Sequence, residues 1–151
     1  MMRTRRTRSV FLACVAVTFV SAACSADIPE NSEDMASAAE RVDPALFDSI
    51  SWESQGTALE RGRTVYLYSC ARCHGPKGAG DGRYRLAGTV LHPPTFLASD
   101  WRFAMDMDGL RAMIYAGAPH YGMPDWGDRG LTPRDVDAVA RYITWTLWAN
   151  R

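Results

Sequence analysis

The sequence predicts an all-α domain of three to five helices. Apolar residues in the second half of the chain recur at helical spacing, and proline and glycine fall between these stretches. A cysteine pair with a histidine directly after it, Cys70-Ala71-Arg72-Cys73-His74, closes the first of the helical stretches. No βαβ pattern surrounds it. The 151 residues are enough for one domain of ordinary size.

Residues 1–23 read as a secretory signal peptide. Arg3, Arg5, Arg6 and Arg8 precede an apolar run from Val10 to Val20, followed by the small residues Ser21-Ala22-Ala23. The run is short of the roughly 20 residues that span a bilayer. The residues after Arg5-Arg6 are not apolar, so general export of an unfolded chain is expected rather than twin-arginine export. Cys24 directly follows this segment and Cys14 lies inside the apolar run. Residues 24–55 carry eight acidic side chains against Arg41 alone, a net charge of −7. Large apolar residues are sparse there before Leu46, Phe47, Ile50 and Trp52, so a solvated acidic tether is expected, with a helix possible over 35–41.

The folded part is expected over residues 56–151. Residues 57–69 have helix-compatible composition, and Gly62, Tyr66 and Cys70, four apart, share one face. Gly62 would let another helix cross closely, with Tyr66 at the crossing. Residues 75–88 hold five glycines and form a loop able either to wrap a flat ligand or to stay mobile. Pro93 and Pro94 then impose an extended segment with fixed carbonyls. Asp108, or alternatively Asp106, caps a helix ending at Ala116 before Gly117. Thr132-Pro133-Arg134-Asp135 starts a last helix that runs to about Trp148.

The cysteine spacing carries the chemistry. Two thiols three residues apart can each form a thioether to one haem vinyl group, and the histidine after them falls beneath the ring centre, where a nitrogen can bind iron. A redox disulfide lacks its βαβ setting. A zinc site lacks partners, because His92 and His120 are distant and not paired at finger spacing. One covalently bound haem c on Cys70 and Cys73, with His74 on the iron, is therefore expected. A carbonyl of the proline segment can accept the other imidazole proton. The folded part carries 12 basic and 9 acidic residues, net +3, and the body of the chain has no Lys/Arg cluster, which argues against a nucleic-acid partner.

These residues resemble a bacterial class I, monohaem c-type cytochrome over residues 56–149. The resemblance rests on Cys70-x-x-Cys73-His74, the Gly62/Tyr66 helix, the proline segment, Gly122-Met123-Pro124, and a final helix with Val139 and Tyr142. It implies a cytochrome c-like fold in which the first and last helices cross at Gly62, Tyr66, Val139 and Tyr142. It also implies a methionine as second iron ligand in the loop before the last helix, the position of Met123. Met105, Met107 and Met113 lie in or beside a helix and suit packing, while His120 is the rival ligand. Trp101, Arg102 and Trp126 are candidates for the haem edge or propionates.

The function implied is one-electron Fe(III)/Fe(II) transfer in the periplasm, not catalysis, with redox proteins as donor and acceptor. The carrier can be free or a subunit of a redox complex. A haem c enzyme or gas-binding sensor with a labile or missing sixth ligand is the alternative. Ala22-Ala23-Cys24 resembles a lipoprotein box, which would lipidate Cys24 and anchor the protein to the membrane, although Ser21 stands where leucine is usual; ordinary signal-peptidase cleavage is the alternative.

Overall fold

The computed structural model describes residues 37–38 and 40–151. The expected signal peptide, Cys14 and Cys24 lie outside them. The architecture is helical, with one short hairpin. Helix α1 (Gln55–Val65) starts at Ser54, whose hydroxyl accepts from the Thr57 N–H at 3.1 Å. It widens into a π turn (Tyr66–Cys70), where the Ala71 N–H reaches back five residues to the Tyr66 carbonyl. It resumes as the single turn α2 (Ala71–His74) and stops at Gly75, whose φ of 79° suits glycine.

The π turn has a geometric consequence. An α-helix advances ~40° beyond a full circle over four residues, so positions four apart drift around it. A π turn rotates less per residue and cancels that drift. Tyr66 and Cys70, at the two ends of the π turn, accordingly stay on one buried face, and Gly62 is buried one turn before them.

Strands β1 (Arg85–Leu86) and β2 (Thr89–Val90) pair antiparallel, with Arg85 opposite Val90 and Leu86 opposite Thr89. This hairpin sits in and beside the stretch expected to be loop. Helix α3 (Met107–Ala116) is capped by Asp106, which accepts from the Gly109 N–H at 2.8 Å. Asp108 is not the cap; it lies in the first turn and pairs with Arg111 at 2.7 Å. After a 3₁₀ turn (Pro119–Tyr121), helix α4 (Pro133–Tyr142) opens with Thr132 and Asp135 capping each other's backbone. It too relaxes into a π turn (Ile143–Trp148).

Helices α1 and α4 cross where glycine was expected to allow it. A methyl group on Gly62 would overlap the Ala138 carbonyl and lie 2.7 Å from Tyr142 Cβ. The Tyr66 and Tyr142 rings meet at 5.6 Å beside the crossing. Tyr66, Val136 and Val139, all 0% exposed, form the centre of the core. Helix α3 packs on α4.

The segment ahead of α1 is not solvated throughout. Ala38, Val42 and Phe47 are buried in the main apolar cluster, and Ile50 packs against it. Arg41 donates to the Ala116 and Gly117 carbonyls at 3.2 and 3.3 Å, holding the C-terminus of α3. The acidic composition of 24–55 hid these few apolar anchors, each of which buries enough surface to hold a short segment down.

Candidate haem site

The π turn and α2 deliver the Cys-x-x-Cys-His set within one turn. Cys70 is 8% exposed and Cys73 half-buried, both as free thiols. Burial pushes the Cys70 thiol up to about 12, with the neighbouring Cys73 adding to the effect. Burial also raises Cys73, opposed by the Arg72 guanidinium. Both sulfurs therefore stay protonated and apolar at neutral pH, unlike a reactive redox pair.

The imidazole of His74 is half-buried in the same place, with its Nδ1 atom fully enclosed. Burial pushes its pKa down to about 4, against the opposing pull of the Pro94 carbonyl. It is therefore neutral at physiological pH, the form that binds metals. The ring stacks on Phe96, centroids 4.5 Å apart and planes 22° apart. Its buried Nδ1 has no hydrogen-bond partner of good geometry. A half-buried, neutral imidazole with an enclosed, unpartnered Nδ1, beside two paired thiols, fits a covalently attached, iron-bearing porphyrin. Among the described residues no group of three or more His, Cys, Asp or Glu side chains is placed to hold a bare metal ion.

The glycine-rich loop is packed rather than mobile. Tyr66 donates its hydroxyl to the Gly75 carbonyl at 2.6 Å, and the Gly80 N–H donates to the His74 carbonyl at 2.9 Å. The Phe96 N–H donates to the Gly78 carbonyl at 2.8 Å, tying the loop to the proline segment. Gly80, at φ 78°, leaves no room for a Cβ against the Pro93 carbonyl. The loop thus holds Pro94 and Phe96 against His74.

Met123 lies in a second packed turn. It exchanges both backbone hydrogen bonds with Ala118, at 3.0 and 3.1 Å. Gly122 before it is left-handed at φ 78°, and a Cβ there would press on Leu86 and Leu91. The Met123 side chain packs against the apolar cluster that contains Cys70 and Phe96. Its rivals are placed otherwise. Met105 is 93% exposed, Met113 is buried on α3, Met107 is partly buried beside the cluster, and His92 and His120 are exposed.

Trp101 is buried and continues an aromatic row from the site, 5.5 Å from Phe96 and 6.5 Å from Trp148. Trp126 packs against the core, and Arg102 is exposed. Phe96 is the residue that sequence reasoning missed. Its only signal was its place two residues after Pro94, which sets where an extended chain delivers a side chain.

The comparisons agree with this chemistry. No solved structure matches the chain. It is 29% identical over 90 residues to the cbb3-type cytochrome c oxidase subunit CcoP of Azospirillum brasilense, covering 60% of this chain. The chain spans 29% of the length of that relative. The family model described as cytochrome c oxidase, cbb3-type, subunit III matches residues 57–143, which run from the first turn of α1 to the end of α4. The chain belongs to that family: it is a bacterial c-type cytochrome with a cytochrome c-like all-α fold, carries haem c, and serves electron transfer.

Proposed function

We propose that this chain is a periplasmic one-electron carrier whose haem c is joined to Cys70 and Cys73 and ligated by His74 and Met123, and that it works as a component of a redox complex. The observation that carries the reading is the turn that sets one buried and one half-buried thiol beside a neutral, half-buried imidazole stacked on Phe96. Haem c supplies the one-electron Fe(III)/Fe(II) couple. The cysteines fix its position covalently, and the wall of Phe96, Trp101 and Tyr66 excludes water from the His74 side. The Pro94 carbonyl beside the ring would accept the Nδ1 proton and orient the imidazole toward a bound iron. A thioether from Met123 favours the reduced state and raises the potential. His74 and Met123 together would hold the iron from two sides and leave no open position for a small molecule.

Export through residues 1–23 supports the periplasmic assignment, because thioether formation needs an unfolded chain with exposed thiols. No helix among the described residues is long and apolar enough to cross a membrane. An anchor through a lipid on Cys24 is part of the proposal, as is a role beside other oxidase subunits, suggested by the CcoP relative.

The test is expression in a host competent for haem c maturation. The mature protein is expected to carry the mass of one haem and to show the far-red ferric band of thioether ligation. Cys70→Ala with Cys73→Ala is expected to lose the mass, and Met123→Ala to lose the band with the mass retained. A mature chain without added mass overturns the reading; a high-spin spectrum in the unmodified protein overturns the Met123 assignment.

A further inference from the structure

The C-terminal end of α3 supports two segments at once. An α-helix leaves its last carbonyls without partners inside the helix, so other groups satisfy them. The Gly117 N–H donates to the Met113 carbonyl at 2.9 Å, and the Gly127 N–H donates to that of Tyr115 at 3.0 Å. Arg41 donates to the next two, Ala116 at 3.2 Å and Gly117 at 3.3 Å. A cation at a helix C-terminus also meets the negative end of the helix dipole. The carbonyls at this end are thus shared between the loop that carries Met123 and the segment ahead of α1.

That segment is built to hold its position. Arg41 Nε donates to the Ser37 carbonyl four residues back, at 3.1 Å, which fixes the side chain while both terminal nitrogens reach α3. Asp43 caps a 3₁₀ turn (Pro44–Phe47), accepting from the Ala45 N–H at 3.0 Å, and Pro44 fixes the first backbone angle of the turn. Phe47 at its end is buried, and its ring meets the Tyr115 ring edge-on at 6.2 Å. Arg41 and Phe47 therefore grip α3 at Tyr115, Ala116 and Gly117.

The Met123 loop leans on the same place. The Gly117 backbone leaves no room for a Cβ against Pro124 and Asp125, the two residues after Met123. Ala118, next in the chain, exchanges both backbone hydrogen bonds with Met123. The Tyr115 ring lies against Gly127, where a Cβ would come within 2.6 Å of it. Fraying of this helix end would loosen all of these supports together.

We propose that residues 40–47 act as a strap that keeps the Met123 loop closed, with Arg41 and Phe47 as positioning residues for the sixth iron ligand. This role rests on the proposed ligation of iron by Met123. A thioether favours ferrous over ferric iron, so ligation in the ferric state depends most on the stability of the loop itself. Loops and helix ends open locally at lower cost than the whole fold, and each contact made by the strap raises that cost.

The experiment titrates the ferric, haem-loaded full chain with imidazole, which competes with Met123 for the iron once the loop opens. Loss of the far-red band gives the apparent affinity. Arg41→Gln is expected to bind imidazole about fivefold to thirtyfold more tightly, the effect of losing two hydrogen bonds from a cation. Amide hydrogen exchange at Ala118 and Met123 is expected to quicken by a similar factor; protection like that of the unmodified protein would show that the strap does not hold this loop. Trp52→Phe weakens the other anchor of the same segment, the hydrogen bond to Asp137 on α4, and is expected to change neither quantity. Unchanged imidazole affinity in Arg41→Gln, or an equal change in both variants, would overturn the strap alone. An unmodified protein without the far-red band overturns the Met123 ligation beneath it.

Discussion

The Trp52 indole donates to the Asp137 carboxylate at 2.6 Å, joining the segment before α1 to the middle of α4. Asp137 is 0% exposed and also receives Arg141 at 2.7 Å and Arg111. One carboxylate therefore connects the N-terminal segment, α3 and α4. The Trp52 ring also lies under the Arg134 guanidinium at 4.0 Å.

Removing members of this cluster should have unequal effects. Trp52→Phe keeps the apolar ring and leaves Asp137 with its two arginines, so a loss of about 1–2 kcal/mol is expected. Asp137→Leu leaves two cations facing a low-dielectric site and is expected to cost about 3–5 kcal/mol. Urea denaturation of the haem-loaded protein measures both, and equal effects would contradict the shared-carboxylate account.

Acid should weaken the same junction. Burial pushes the Asp137 pKa up, but hydrogen bonds from Arg141, Trp52 and Arg111 outweigh it, and the net shift is downward. Asp135 behaves alike: burial raises it, and hydrogen bonds from Arg61 and Thr132 prevail. A carboxyl depressed in the fold stabilises it fully above the unfolded pKa of about 3.9, and that stability is lost as pH falls through the lower folded value. Stability attributable to this pair is expected to be flat from pH 7 to about 5 and to drop below about 4. Asp137→Leu should flatten the acid limb; an unchanged limb would show that other carboxylates govern it.

At the helix crossing, Gly62→Ala is expected to destabilise by about 1–3 kcal/mol, because its methyl meets the fixed Ala138 backbone carbonyl rather than a flexible side chain. Gly56→Ala, where the nearest atom is the Ser54 hydroxyl oxygen at 3.5 Å, should be neutral or slightly stabilising. Thermal melts of the two variants decide the matter.

Tyr66→Phe removes the hydroxyl that holds the Gly75 carbonyl at 2.6 Å, directly after His74. Burial pushes the Tyr66 pKa well above the usual tyrosine value, so the phenol donates at any physiological pH. The Gly75 carbonyl keeps the Gly78 N–H at 3.2 Å, so the expected loss is that of one hydrogen bond, about 0.5–1.5 kcal/mol. Faster amide hydrogen exchange at Gly78 and Gly80 is expected to accompany it; protection like that of the unmodified protein would show that the loop is held without this bond.

Much of the molecule was legible in one dimension because its signals are local. The Cys-x-x-Cys-His spacing, the Thr132–Asp135 start of the last helix and the glycine at position 62 each follow from residues within a turn or two, where covalent geometry leaves few alternatives. Other features were decided only when distant segments met. Asp106 caps α3 instead of Asp108 because the helix begins two residues earlier, and no propensity separates two aspartates so close together. The acidic segment docks because Val42, Phe47 and Trp52 find partners on α3 and α4, and composition averages such anchors away. Phe96 reaches His74 through the Gly78 and Gly80 contacts, which join segments far apart in the chain. Which helices would form was written in the spacing of the residues; what those helices and loops press against depended on contacts between segments tens of residues apart.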